Sequence, residues 1–144
     1  MRSVILAQTD TTVGFLSQDS RKLARIKERP SDKPFIQSFD SLRRYSAMGG
    51  RVPGEFKKRL RRAKATSFVI NNRAIRIVAD GEHHRLLKKY GWLYSTSANA
   101  KGGSFERVFA EAHADIIVED NRGLFEGEAS SIYKLNHKKI RRLR

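Results

Sequence analysis

The sequence contains no cysteine, only three prolines and one tryptophan, and no long apolar run. Without cysteine, a disulfide, a thiolate metal site and a cysteine nucleophile are all excluded. The first apolar stretch, residues 4–7, is too short for a signal peptide or a membrane span. The sequence therefore predicts a cytoplasmic protein without sulfur chemistry and without a membrane partner.

Acidic residues are also scarce, since 15 Asp and Glu stand against 30 Lys and Arg, which gives a net charge of +15. Such a charge attracts polyanions and makes their binding salt-dependent. The basic residues concentrate in a helix after Pro53 and in a tail at about residues 136–144. The residues that we predict to contact RNA are Lys57, Lys58, Arg61, Arg62, Lys138, Lys139, Arg141 and Arg142. For the tail, the alternative is a disordered, solvated end that only improves solubility.

A chain of 144 residues has room for one domain with a real core, so residues 1–144 are interpreted as a single domain. Short β-prone runs at residues 3–7, 66–70, 74–79, 92–94, 115–118 and 131–135 alternate with helical patterns. We expect helices at residues 20–28, 38–47, 53–64, 82–90 and 104–112. This mixture predicts an α/β or α+β fold built on one sheet.

Two polar loops, residues 8–14 and 95–99, each follow an apolar strand. Hydroxyl groups and backbone N–H groups at strand ends suit the recognition of phosphate or carboxylate. The alternative is a pair of turns that satisfy only their own backbone. A third polar segment, residues 27–34, places three cations around a proline-fixed turn, where they can clamp an anion or simply favour a helix C-terminus.

Three further observations concern single residues and motifs. Arg76 alternates with Ile75 and Ile77 in a strand, which favours an exposed sheet face or an anionic partner. His83 and His84 are adjacent, share no helix face and lack companion ligands, so we expect surface residues and no metal site. A nucleophile elbow, a Walker loop, a GxGxxG sequence and an HExxH motif are all missing, which removes the commonest enzyme classes.

In chain order, the segments TDTTVG, KERPSDKP, RAIRI, STSAN and EASSIYKL resemble the YrdC-like family, which includes threonylcarbamoyl-AMP synthase. The resemblance covers most of the chain, and KERPSDKP and STSAN are its most specific parts. It implies a YrdC-like twisted open mixed sheet with flanking helices and a positively charged cavity.

The function that the resemblance implies is a nucleotidyltransferase of tRNA processing, an L-threonylcarbamoyladenylate synthase. Its substrates would be ATP, L-threonine and bicarbonate, with Mg²⁺ carried by the ATP rather than by a protein metal site. The product would be threonylcarbamoyl-AMP, with pyrophosphate released, and other tRNA threonylcarbamoylation proteins would pass the activated group to tRNA. Some family members also bind double-stranded RNA.

Position by position, the resemblance implies a set of threonine- and ATP-binding residues and no catalytic nucleophile. Lys27 and Arg29 match the family's KxR pair, and Ser97 and Asn99 match its SxN pair. The remaining matches are Thr9, Lys33, Arg76 and Ser130.

Gln8, Val13 and Ala129 stand where the family usually has proline, an aromatic residue and proline, and the segment between Pro34 and Thr66 is shorter than usual. These departures motivate an alternative function, a catalytically weakened YrdC-like protein that binds tRNA or double-stranded RNA. A third interpretation is a basic ribosome-associated protein that matches the motifs by accident.

Overall fold

The computed structural model describes residues 1–30 and 32–144, and within them the chain forms a mixed α/β fold. The strands are β1 (Ile5–Gln8), β2 (Val13–Ser17), β3 (Ile36–Phe39), β4 (Thr66–Ile70), β5 (Arg73–Ile77), β6 (Trp92–Ser97), β7 (Ile116–Val118), β8 (Ser131–Leu135) and β9 (Ile140–Arg142). The helices are α1 (Ser20–Ile26), α2 (Leu42–Ala47), α3 (Lys57–Arg62), α4 (Gly81–Tyr90) and α5 (Arg107–His113), with a short 3-10 helix, Gly54–Phe56, before α3. None of the helices in these described ranges is long and apolar enough to cross a membrane.

The strands form one mixed sheet in the order β7-β1-β2-β6-β3-β5-β4-β8-β9. The pairs β1 with β7, β3 with β5 and β4 with β8 are parallel, and the other neighbours are antiparallel. The strand β6 lies between β2 and β3, which brings the end of β6 beside the loop that joins β1 to β2. The fold therefore unites the two polar segments that the sequence singled out, although the second was wrongly expected to be a loop, because Ser95, Thr96 and Ser97 are the end of β6.

The two faces of the sheet are used differently. One, which we call the helix face, is covered by α1, α2, α3 and α5, and its core includes Phe15, Leu23, Phe39, Leu60 and Phe68. The other, the cavity face, carries α4, whose Leu87 packs on Ile5, Leu16 and Leu93. Strand alternation puts Arg76 on the cavity face, in register with Ser38 of β3.

Two predicted elements are corrected. The helix expected at residues 38–47 is wrong at its start, because Ser38 and Phe39 belong to β3 and α2 begins after the N-cap Ser41. Phe39, Leu42 and Tyr45 nevertheless contact one core, which explains why their spacing resembled a single helix. The basic tail is not a free end either, since β9 pairs antiparallel with β8.

A segment that we call the strap, residues 119–130, holds the loop between β1 and β2 in place. Arg122 donates to the carbonyl oxygens of Gln8 at 2.9 Å and Thr9 at 3.2 Å. The Gly127 N–H donates to the Thr12 hydroxyl at 2.9 Å. A Cβ added at Gly127 would overlap the Thr11 carbonyl oxygen, so the backbones approach as closely as glycine allows.

Substituting Gly127→Ala tests this contact. Because the neighbouring atom is backbone, the loop or the strap must move, and we expect the free energy of unfolding to fall by about 1–3 kcal/mol. Chemical denaturation measures this change. The matched control is Gly54→Ala, which meets no atom within 4 Å and should change stability by less than about 0.5 kcal/mol. Equal stability of the two variants would contradict the close approach.

Candidate functional site

A cavity of about 240 Å³ opens on the cavity face, where the loop after β1, the end of β6 and the strap meet. The register pairs Gly14 with Ser97, and the Ala98 N–H donates to the Val13 carbonyl at 3.0 Å. The lining residues are Thr9, Thr11, Thr12, Gly14, Arg29, Pro34, Phe35, Ile36, Arg76, Ser95, Thr96, Ser97, Ala129, Ser130 and Arg144. The loop after β1 and the end of β6 are therefore two walls of one site.

The lining combines hydroxyl groups with three arginines, Arg29, Arg76 and Arg144, and among the described residues none of those that line it is acidic. Arginine presents a planar fork that matches the oxygens of phosphate and carboxylate. Hydroxyl groups donate further hydrogen bonds to the same oxygens. The cavity is therefore suited to an anion.

Lys27 lies behind the wall of the cavity rather than in it. It caps α1 at the C-terminus, and its Nζ donates to the carbonyl oxygens of Ser97 at 3.0 Å and Asn99 at 2.7 Å and to Asn99 Oδ1 at 3.2 Å. Burial, and then the charge of Arg29, lower the pKa of Lys27. Asn99 itself donates to the carbonyl oxygens of Ala100 and Gly103. Lys27 and Asn99 therefore hold the segment around Ser97 in place. Their contact joins the KxR and SxN motifs, which are 72 residues apart in the sequence.

Arg29 does reach the cavity. Its guanidinium lies 4.0 Å from the centre of the Phe35 ring, and it donates to the Pro34 carbonyl at 2.6 Å. Burial lowers its pKa, and its Nε is buried without a partner among the described atoms. Lys33 is different, because its side chain is exposed and lines a separate cleft beside Gln37.

Arg76 is buried, so the interpretation of an exposed sheet face is wrong for this residue. Its residue exposure is 3%, because the loop after β1 covers it. Its anionic partner is Asp10, with 3.3 Å between Nη2 and Oδ1. Burial lowers the pKa of Arg76, while the charge of Asp10 opposes that shift. Burial also raises the pKa of Asp10, but a hydrogen bond to His83 and the charge of Arg76 outweigh it and leave that pKa below its usual value.

Thr9 and Ser130 lie in the walls, both nearly inaccessible to solvent. The Thr9 hydroxyl donates to the Thr12 carbonyl at 2.6 Å, which shapes its own loop. The Ser130 hydroxyl lies 2.9 Å from that of Ser67 on β4.

Arg144 completes the cavity and was missed by sequence reasoning. Its Nε donates to the Ser130 carbonyl at 2.9 Å, and its Nη2 lies 3.3 Å from the Ser130 hydroxyl. One feature of the sequence could have located Arg144: the polar turn after β8, followed by Ile140, predicts a hairpin that returns the chain towards Ser130.

The prediction that His83 is a surface residue is wrong, because only 1% of the residue is exposed to solvent. It faces Asp10, with 3.0 Å between Nδ1 and Oδ1. Burial lowers its pKa, although the hydrogen bond to Asp10 acts in the opposite direction. Pairs of adjacent residues never share a helix face, so one of two neighbouring histidines can be buried while the other stays accessible.

The residues that we predict to contact RNA lie in two places, on α3 and in the β8–β9 hairpin. On α3, Arg59 and Arg62 lie beside β8, where the Arg59 guanidinium is 5.4 Å from the centre of the Tyr133 ring. Lys57 and Arg61 line a separate cleft with Ser46 and His84. Arg142 pairs with Tyr133, whereas Arg141 pairs with Lys134 on the cavity face. All eight are exposed: Lys57, Lys58, Arg61 and Arg62 on α3, Lys138 and Lys139 in the β8–β9 turn, and Arg141 and Arg142 on β9.

Residues 1–30 and 32–144 contain no cluster of three or more His, Cys, Asp or Glu side chains with the arrangement of a metal site. Asp10, between the lining residues Thr9 and Thr11, is engaged by Arg76 and His83.

Comparison with known proteins gives the chain its family. The family model described as "Telomere recombination", which covers Sua5, YciO and YrdC proteins, matches residues 3–144. An uncharacterized Mycoplasma pneumoniae protein, the MG259 homolog, is 28% identical over 141 residues, with 92% of this chain and 30% of that protein covered.

Solved structures share the fold. P. abyssi Sua5, in a crystal structure complexed with L-threonine, superimposes with a TM-score of 0.77 at 18% identity, covering 99% of this chain and 50% of Sua5. E. coli YciO gives a TM-score of 0.72 at 16% identity, covering 99% of this chain and 82% of YciO. The chain thus spans half of Sua5 and less than a third of the Mycoplasma relative. On the strength of the family match, with the sheet and helices in agreement, the chain belongs to the Sua5/YciO/YrdC family.

Proposed function

We propose that the protein is an L-threonylcarbamoyladenylate synthase that acts in tRNA threonylcarbamoyladenosine modification. The observation that carries the proposal is the cavity itself, in which Arg29, Arg76 and Arg144 converge on hydroxyl groups with no acidic residue among the described lining. The family includes threonylcarbamoyl-AMP synthases, and a related Sua5 structure contains L-threonine. Together these support a ligand that carries both phosphate and carboxylate.

In the proposed reaction, threonine and bicarbonate condense to a carbamate with loss of water. A carbamate oxygen then attacks the α-phosphorus of ATP, and the bond to the leaving pyrophosphate breaks. This chemistry needs no protein nucleophile, because alignment of two anions and stabilisation of the phosphoryl oxygens supply the rate enhancement. Mg²⁺ would enter with ATP, held by phosphate oxygens and water.

The roles of the residues follow from their positions. Arg29 and Arg76 would bind phosphoryl or carboxylate oxygens, with Arg144 beside Ser130 as a third cation. The Ser97 hydroxyl and Thr9 would complete the contacts to nucleotide and threonine. Lys27 would act mainly through Ser97 and Asn99, because its ammonium group already holds their carbonyl oxygens.

The first test is calorimetric titration of ATP with Mg²⁺, with and without threonine, followed by an assay of pyrophosphate release with bicarbonate. We expect ATP binding that strengthens with threonine and pyrophosphate release that requires both threonine and bicarbonate. Arg29→Ala should weaken ATP binding about tenfold or more, since it removes a charged hydrogen-bond donor. The Ser97→Ala, Asn99→Ala double variant should weaken it as well.

The matched control is Arg25→Ala, which removes an exposed arginine of α1 outside the cavity. It should bind ATP like the wild type. Absence of ATP binding to the wild type, or equal loss in the Arg25 and Arg29 variants, would contradict a nucleotide site in the cavity.

A second candidate function, binding of tRNA or double-stranded RNA, is favoured by one observation. Arg59 and Arg62 of α3 line a cleft with the partly buried Tyr133, and Arg142 is paired with Tyr133 across the β8–β9 ladder. Clustered cations beside an aromatic ring suit a phosphate backbone with accessible bases. This surface lies on the helix face, away from the cavity. RNA binding and synthesis can therefore be tested independently.

RNA affinity measured over a range of salt concentrations tests this second function. Binding should weaken steeply with salt. Replacing Lys57, Lys58, Arg61 and Arg62 by alanine should flatten the salt dependence in proportion to the number of phosphates that these side chains neutralise. A control that replaces the exposed Lys88 and Lys89 of α4, on the opposite face, should change it little. If the two sets of substitutions have equal effects, the RNA is attracted only by the net charge of the protein, and the specific RNA surface is contradicted.

A further inference from the structure

Behind the cavity wall, three ionisable side chains from three separate elements are in contact. Arg76 lies on β5, Asp10 in the loop after β1 and His83 on α4. One atom, Asp10 Oδ1, lies 3.3 Å from Arg76 Nη2 and 3.0 Å from His83 Nδ1. Arg76 and His83 are 3% and 1% exposed. A single carboxylate oxygen thus links a strand that lines the cavity to a helix that does not.

The guanidinium of Arg76 has few other partners. Besides Asp10 it contacts the Thr11 hydroxyl at 3.5 Å, at the limit of a hydrogen bond, and its Nε is buried without a partner among the described atoms. The direction in which the guanidinium points therefore depends on where the Asp10 carboxylate is held. Asp10 belongs to a loop, and His83 is the contact that ties its side chain to a helix.

The chemistry of the contact selects one form of the imidazole. His83 Nδ1 lies 3.0 Å from Asp10 Oδ1 and 3.3 Å from the Asp10 backbone nitrogen, and one ring nitrogen cannot donate and accept together. Beside Arg76 the carboxylate is ionised and acts only as an acceptor, so Nδ1 carries the proton and donates to Oδ1. The other ring nitrogen, Nε2, is buried without a partner among the described atoms. In this form Nδ1 serves the carboxylate, and the Asp10 backbone N–H that also points at Nδ1 cannot donate to it.

We propose that His83 is a positioning residue, which fixes the Asp10 carboxylate and through it the Arg76 guanidinium in the wall of the cavity. The orientation of Arg76 is a property of the ligand-free protein. Only the consequence for nucleotide affinity rests on the proposed function. Outer partners that orient a ligand-binding side chain commonly change affinity when they are replaced.

The experiment compares His83→Asn with His83→Gln. The asparagine amide reaches the position of Nδ1 and can donate to Asp10, whereas the glutamine amide extends towards the position of Nε2 and leaves Asp10 without its donor. Both variants place a polar amide in the buried site, so we expect them to lower the free energy of unfolding by similar amounts. His84→Asn and His84→Gln, at the neighbouring position that contacts the Val78 carbonyl instead, are the matched controls.

The first readout is nuclear magnetic resonance of the ligand-free protein. We expect hindered rotation of the Arg76 guanidinium in the wild type and the asparagine variant, free rotation in the glutamine variant, and a His83 ring protonated at Nδ1 in the wild type. The second readout is ATP affinity, which should stay close to wild type in His83→Asn and fall about tenfold in His83→Gln.

Equal Arg76 rotation in the two His83 variants, or a wild-type ring protonated at Nε2, would overturn the positioning role. Hindered rotation that depends on His83 in a protein that binds no ATP would leave the positioning role intact and overturn the proposed function instead. A change of the same size in the His84 variants would show a general effect of α4 and would also overturn the proposal.

Discussion

The pairing of Arg76 with Asp10 is the constraint on which the site is built. A guanidinium that is 3% exposed has lost most of its hydration, and an unpaired charge in such a place costs several kcal/mol. The carboxylate that compensates it comes from a loop 66 residues earlier in the chain, at Asp10. To deliver it, the loop must fold over β5. In that position the loop meets the end of β6, the strap and α4, and the cavity is the space that these elements leave.

The parts of the fold that the sequence predicts well are those decided by near neighbours. Strands β4 and β5 are joined through Asn71 and Asn72, which both adopt the left-handed conformation that tight hairpin turns require and asparagine tolerates. The KxR and SxN segments, both singled out from the sequence, are in contact, because Lys27 donates to the Ser97 carbonyl oxygen. Local turn chemistry and motif spacing of this kind are legible without a structure.

What the sequence does not disclose depends on distant partners. Nothing near His83 indicates burial, because the carboxylate that accepts its hydrogen bond lies 73 residues away. Arg76 was open to two interpretations for the same reason. Phe39 was assigned to a helix, because a strand end and a helix that pack on one core reproduce helical spacing. In each case a long-range contact decides among options that local pattern leaves equal.

The excess of positive charge is divided between two surfaces with different surroundings. In the cavity, Arg29 stacks on Phe35 and Arg76 is paired, so these cations are held in fixed directions. On α3 the cations are exposed to solvent. Cations held in fixed directions suit a ligand of defined shape, and exposed cations suit a polyanion that is bound by charge density. The two proposed functions would therefore draw on cations with different surroundings.

The order of the strands has a consequence for how the molecule reaches this state. The strand β1 has β7 as its parallel neighbour, with Ile5 opposite Ile116, and β4 has β8, with Thr66 opposite Ser131. Such pairings close large loops before they gain any contacts, which places the fold among the slower-folding topologies. During synthesis, the second edge of β1 stays unpaired until β7 has been made, and the second edge of β4 stays unpaired until β8 has been made. The cavity is therefore completed late in folding. Any delay in translation past residue 116 lengthens the time for which the partly formed sheet exposes unpaired strand edges, which can pair with other chains.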